Sequence, residues 1–308
     1  MIMERFNITY NQVHNTSLIG GTNGLKIFLP NDEIYNKCLI NLKNNQTQYT
    51  TAPVNTSNCL SLNLKNIIPG RYMMQIFRQS VFANNNYDFC FELPIVINST
   101  NRMVDIEKSP MYDNNKTFYM ALKTDHNTID KYKNIQRLEY NESIARKVKE
   151  ITRNYKSDYS KVQIIHDYIS ENIVYDMDSY YMYRYNNQKF KNSLYDVSEV
   201  YKNKMAICEG FSNLTCYMLR MIGIPAIKIC CHALGVSSNG TWTTNNDVNH
   251  VFTGAFVNDR WMLIDSTWDC THELINGALK KKRPFRRLYF DPTLEFISLT
   301  HKLCYIDN

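Results

Sequence analysis

The chain has 308 residues, 44% of them hydrophobic, with a formal net charge of +6 and a pI near 8.7. That is more length than one compact core needs, so two domains are expected, and the apolar content suffices for ordinary globular cores. No run approaches the roughly eighteen consecutive apolar residues of a membrane-spanning helix, and the start, MIMERFNITYNQVHN, lacks the apolar stretch of a secretory signal, so a cytoplasmic location is expected unless a leader has been removed.

Before residue 105 come short apolar or alternating runs, LKIFLP, CLINL, CLSLNL, RYMMQIF and DFCFELPIVI, separated by Asn, Thr, Pro and Gly. Their spacing predicts an all-β antiparallel sandwich over 1–105. The Pro69-Gly70 turn feeding a Tyr-containing strand gives it an immunoglobulin-like cast, an analogy of fold that assigns no function beyond an accessory domain. Cys38, Cys59 and Cys90 read there as buried free thiols. Asparagine is abundant, and N-x-[ST] sequons such as Asn7, Asn15, Asn98 and Asn239 follow from that abundance; no glycosylation is inferred.

Residues 106–135 are polar and read as a connecting segment with one strand in KTFYMAL. The third region, 136–308, opens with Asn141-Glu142-Ser143 and an apolar periodicity of Ile144, Val148 and Ile151, a first helix. SDYSKVQIIHDYISENIVYD predicts an amphipathic helix with Val162, Ile165, Tyr168 and Ile169 on one face, running into a Tyr-Asp segment. Tyr175 and Tyr201 are both candidates for lining a cleft or donating to an oxyanion, although a tyrosine taken singly is more often a core residue with its hydroxyl near water.

From Cys208, CEGFSNLTCYMLRMIGIPA places Phe211, Leu214, Thr215, Met218, Met221 and Ile222 at helical spacing before Gly223 and Pro225. Cys208 therefore opens a helix, where unpaired N–H groups favour thiolate and offer donors to a developing oxyanion. Asn213, another sequon, falls inside that helix. Cys230-Cys231-His232 has metal-like composition, but neighbours on a strand face opposite ways, so a buried strand is the better reading.

HVFTGAFVNDRWMLIDSTWD alternates on both sides of Asn258-Asp259, a two-residue hairpin turn. Val257 then pairs with Arg260, His250 lies opposite Thr267, and Asp265 lies opposite Phe252. That register makes His250 and Asp265 diagonal neighbours with β-carbons roughly 7–8 Å apart, within reach of an imidazole-to-carboxylate hydrogen bond. Thiolate attack, proton transfer by imidazole and a carboxylate that fixes the tautomer are the roles such a set can fill.

These residues resemble the transglutaminase-like superfamily of papain-fold cysteine enzymes over roughly residues 136–308. CEGF, LRMIGIPA, HVF and WMLIDSTWD stand in the order and spacing of its pattern. Ala206 stands where the family often has Gly, and Val251-Phe252 where Ala-Trp often follows the histidine. The resemblance implies an α+β fold with a papain-like transglutaminase-core catalytic domain, Cys208 as nucleophile, His250 as base and Asp265 as orienting acid.

The expected activity is acyl transfer from an amide through a Cys208 thioester. Water as acceptor is favoured over an amine, because crosslinking requires a site built to exclude water. The expected substrate is a protein, peptide or peptidoglycan-type amide; the alternative is an inactive scaffold or protein-binding module. Neither cofactor nor metal is expected, since the nine cysteines contain no C-x-x-C pair and no clustered carboxylate loop suggests calcium. Lys280, Lys281, Lys282, Arg283, Arg286 and Arg287 carry most of the positive excess; without a nucleic-acid fold signature they read as a solvated loop, and no nucleic-acid partner is expected. RRLYFDPTLEFISLTHKL, similar to the C-terminal end of bacterial family members, is expected to pack on the catalytic core.

Overall fold

The computed structural model describes residues 17–21, 24–28, 37–52, 54–55, 60–79, 87–100, 104–106, 109–124, 126–133, 140–235, 242, 248–282 and 287–307. Two compact units emerge, 1–112 with 293–299, and 113–292 with 300–308.

In the first unit the strands are β1 (Ser17–Gly21), β2 (Gly24–Phe28), β3 (Lys37–Lys43), β4 (Gln48–Thr50), β5 (Val54–Asn55), β6 (Leu60–Asn63), β7 (Gly70–Gln79), β8 (Tyr87–Ile97) and β9 (Val104–Ile106). They form two antiparallel sheets, β1-β2-β6 and β4-β3-β7-β8-β9 with β5 beside β3. Period-two side-chain alternation explains the core: Cys38, Ile40 and Leu42 of β3, Tyr72, Met74 and Ile76 of β7, and Leu93, Ile95 and Ile97 of β8 all face inward. Leu62 of β6 joins the same cluster, and the Tyr72 hydroxyl donates to the Ile68 carbonyl at 2.7 Å. Of the three cysteines expected here, Cys38 is buried, Cys90 lies in β8, and Cys59 is outside the described residues.

KTFYMAL is not a strand. It lies in helix α1 (Tyr112–Thr124), whose inward residues Asn115 and Leu122 are seven apart, two helical turns rather than an alternating face. Most of the segment expected to connect two domains is therefore part of the second unit.

That unit continues with α2 (Glu142–Thr152), α3 (Asp158–Asn172), β10 (Val174–Asp176), α4 (Met177–Asn186), α5 (Val197–Asn203), β11 (Met205–Ala206) and α6 (Cys208–Met221). Asn141 and Ser157 cap α2 and α3 by accepting from the backbone N–H three residues on. After α6 come β12 (Ala226–Ala233), β13 (His250–Val257), β14 (Arg260–Ile264), α7 (Ser266–Asp269), β15 (His272–Ile275) and β16 (Ala278–Lys281); α8 (Leu294–Ile297) groups with the first unit, and β17 (His301–Asp307) ends the second. Of the C-terminal stretch expected to pack on the catalytic core, 293–299 group with the first unit and the remainder with the second.

One sheet runs β14-β13-β12-β17, all antiparallel, and a second runs β11-β10-β15-β16. Helix α6 packs on β12 and β13 and is buried nearly all round, with Phe211, Leu214, Tyr217, Met218 and Leu219 in the core beside Ile165 and Ile169 of α3. Cys230 and Cys231 sit in β12, both buried, as a strand reading requires. Mixed helices and sheet describe this unit.

Candidate active site

Cys208 is the first residue of α6 and is half-buried. Its N-cap, Ile207, offers no side-chain acceptor, so no side-chain hydrogen bond caps the helix start. Gly210 fixes where that turn lies. A β-carbon there would stand 2.2 Å from the Leu194 carbonyl oxygen and 2.8 Å from Ala206 Cβ, an approach open only to glycine.

His250 opens β13, opposite Cys231 of β12. The preceding Asn249 extends that ladder through its side chain, accepting from the Ala233 N–H at 2.7 Å and donating to the Ala233 carbonyl at 3.1 Å. The hairpin turn is Asn258-Asp259, with φ of 52° and 58°, and Val257 pairs with Arg260 as expected. Pairing stops at Thr253 and Ile264, however. The expected partners Phe252–Asp265 and His250–Thr267 do not form, because Ser-Thr-Trp-Asp turns into α7 and Asp265 becomes its N-cap, accepting from the Trp268 N–H at 3.0 Å. The other carboxylate oxygen, Oδ2, lies 2.6 Å from His250 Nε2.

A third side chain, which no local pattern singles out, completes the group. His301, at the start of β17, places Nε2 at 3.2 Å from Asp265 Oδ2 and Nδ1 at 2.8 Å from Thr300 Oγ1. Asn115 of α1 holds it by donating to the His301 carbonyl at 2.7 Å and accepting from the Leu303 N–H at 2.8 Å. The ligand atoms of His250, Asp265 and His301 lie within 4.8 Å of one another, the one metal-competent group among the described residues, and all three are already engaged in these hydrogen bonds.

Burial opposes charge on His250, yet the Asp265 carboxylate and a hydrogen bond with Cys208 outweigh it and push the imidazole up to about 10. Burial likewise works against ionised Asp265, and His250 and His301 override it, holding the carboxyl well below the usual carboxylate range. At neutral pH the group therefore contains an imidazolium between a carboxylate and a sulfur. Burial raises the thiols of Cys231 and Cys216, which remain protonated and inert.

A cavity of about 230 Å³ opens beside His250, walled by Tyr175, Met177, Tyr180, Trp268 and Lys282. Tyr175 is thus at the cleft; burial and the neighbouring Cys208 raise its phenol well above the ordinary value, so it keeps its proton. Tyr201 does not line this cavity: its ring lies 3.7 Å from the Lys204 ammonium, and its hydroxyl points to the Ser143 carbonyl at 3.5 Å.

Behind the site, α7 is held at its other end by Asp269, which faces His166 Nε2 at 3.2 Å and accepts from the Tyr289 N–H at 2.8 Å. Arg287, expected in a solvated basic loop, instead donates to Asp167 at 2.9 and 2.7 Å, and Asp167 in turn faces His166 Nδ1 at 3.1 Å. Lys280, Lys281 and Lys282 are exposed as expected; Arg283 and Arg286 lie outside the described residues.

Residues 145–266 match the family model of the transglutaminase-like superfamily. The chain carries a transglutaminase-like core. Among curated proteins the chain is similar to mouse Kyphoscoliosis peptidase, 24% identical over 161 residues, which is 52% of this chain and 22% of the relative. The human protein of the same name is 23% identical over the same shares. The chain spans about a fifth of the length of these relatives. Solved structures with likeness include one described as a TGase (20% identity, 59% of this chain and 42% of that one, TM-score 0.35). Red sea bream transglutaminase is another (9% identity, 79% and 48%, TM-score 0.27).

Proposed function

We propose that the transglutaminase-like core is a cysteine acyl-transfer enzyme acting on amide bonds, and that hydrolysis is its reaction. The observation that carries this reading is the 2.6 Å contact between His250 and Asp265 in a site where His250 also bonds to Cys208 at a helix N-terminus. In this reading the Cys208 thiolate attacks the amide carbon and the C–N bond breaks. His250 gives its proton to the leaving amine, leaving a thioester. Water then attacks the thioester with His250 as base, which restores the sulfur and releases the acid. Asp265 holds the ring and stabilises its charge throughout. The first-turn N–H groups of α6 and the Tyr175 hydroxyl are the donors for the oxyanion. The cleft opens to solvent at exposed Lys282, which favours water over a competing amine.

The first unit, with its two antiparallel sheets and shared core, is read as an immunoglobulin-like accessory sandwich. A second reading, a scaffold without catalysis, has no observation in its favour, since no member of the Cys–His–Asp set is missing.

The test is mass spectrometry of a glutamine-containing peptide library incubated with the full chain, with and without a primary amine. Cleaved or deamidated peptides that vanish with Cys208→Ala support hydrolysis. Peptides lighter by ammonia and heavier by the amine assign transfer instead, and no product in either condition assigns the scaffold.

A further inference from the structure

The cleft that adjoins His250 has a chemical character of its own. Its walls carry Tyr175, Tyr180, Trp268 and Met177 beside the polar Asn249 and Thr267, and among the described residues none that lines it is a carboxylate. Tyr175 and Tyr180 stand with ring centroids 6.4 Å apart, and Trp268 lies 6.1 Å from the His250 ring. Among the described residues on the wall, Lys282 is the charged side chain besides His250, whose charge faces Asp265. Its backbone is held in place, donating to the Thr271 carbonyl at 2.8 Å, while Thr271 itself donates to Ser170. Its side chain is exposed and forms no ion pair among the described residues. Lys280 and Lys281, also exposed, precede it on β16.

The charge count of the reacting group sharpens the point. The His250 imidazolium and the buried Asp265 carboxylate, 2.6 Å apart, offset one another, so among the described residues the potential a substrate meets at the mouth is set by the lysine. An ammonium at the edge of an aromatic slot receives a carboxylate, while the rings receive the adjoining apolar or aromatic side chain.

We propose that this cleft selects acidic peptides, in which a residue next to the reacting amide carries a carboxylate received by Lys282 and an apolar neighbour lies on the Tyr175, Tyr180 and Trp268 wall. This deepens the acyl-transfer reading and rests on it for the identity of the reacting amide. The part of the sequence read as a solvated basic loop thereby acquires a task at its first described end.

Binding separates the two claims. Fluorescent peptides with Glu, Gln or Lys beside a central glutamine are titrated by polarisation against the full chain carrying Cys208→Ala, which cannot turn over. The Glu peptide binds about three- to fivefold more tightly than the Gln peptide, the range of one exposed ion pair, and the advantage shrinks with added salt. Lys282→Ala removes the preference, and Lys282→Glu turns it towards the Lys peptide. Equal binding of Glu and Gln peptides, a preference unchanged in Lys282→Glu, or no binding of any peptide at millimolar concentration overturns the proposal. A charge preference that persists in Cys208→Ala while the unsubstituted chain yields no product retires the enzyme reading and leaves the acidic-peptide cleft standing.

Discussion

His301 stands behind Asp265 and shares with His250 the same carboxylate oxygen, at 3.2 Å against 2.6 Å. One Oδ2 thus carries two imidazole contacts while Oδ1 caps α7. The carboxylate is fixed from three directions, and its charge is divided between a ring that faces the sulfur and one that does not.

Removing the second ring should alter how that charge is apportioned. In His301→Phe the Asp265 charge rests on His250 alone, so the imidazolium is held more strongly and the alkaline limb of the pH–activity profile moves to higher pH. Catalysis falls roughly tenfold as the carboxylate loses a buried charge-assisted hydrogen bond. His301→Gln keeps an N–H donor and restores most of the activity. A loss of activity with an unmoved alkaline limb in both variants would mean that His301 only packs.

Asp265→Asn separates the chemistry from the fold. Asparagine is as good a helix N-cap as aspartate, so α7 keeps its start. The amide nonetheless cannot stabilise an imidazolium, and it can fix the wrong tautomer, which costs about 10⁴-fold in turnover in comparable triads. The measurement is kcat on a cleaved peptide beside a thermal melt; activity within about tenfold of the parent contradicts the role given to Asp265.

Gly210→Ala tests how Cys208 is placed. The new methyl meets the Leu194 carbonyl, a backbone atom that cannot swing away, so the first turn of α6 must shift. A cost of about 1–3 kcal/mol is expected, with a Tm lower by roughly 2–4 °C for each kcal/mol. Activity drops further than stability does, because the displaced turn carries the proposed nucleophile, Cys208. An unchanged Tm would show that the strands and helices around Leu194 yield more easily than the geometry implies.

His166 links stability to pH. Although burial opposes its charge, Asp167 and Asp269 on either side raise it from 6.5 to about 9. Because the folded value lies above the unfolded one, the contribution is complete below pH 6.5 and is lost as pH rises through 9, up to about 3 kcal/mol in all. Denaturant melts between pH 6 and 10 should show this fall, and His166→Gln, less stable at pH 6, should show a shallower one. Parallel slopes for the two proteins would remove His166 as the cause.

Much of the site was legible in the residues themselves because its geometry is local. Helical spacing from Phe211 to Met221 places Cys208 at the tip of α6, and the Asn258-Asp259 turn folds the chain that leads to Asp265 back along the strand that His250 opens. The detail at Asp265 was not legible by alternation alone, since capping of α7 ends the strand where period two would continue it. His301 was invisible for a different reason. It reaches Asp265 from β17, paired with β12 across some seventy residues of sequence, and no local pattern encodes which strand lies beside which. Arg287 shows the same limit: its neighbours in the sequence are cations, but its partner in space is Asp167 on α3. KTFYMAL is ambiguous because its aromatic and apolar residues suit either period; in the structure it is helical, with Asn115 inward and bonded to the edge strand β17.

The most direct test of the central claim is the rate at which a small thiol-alkylating amide modifies each cysteine at pH 7, read by peptide mass spectrometry. Cys304 is the natural reference, being the other half-exposed thiol among the described residues. The account predicts that Cys208 reacts much faster than Cys304 and that His250→Ala abolishes the difference. Equal rates at the two cysteines, or a Cys208 rate indifferent to His250→Ala, would contradict it.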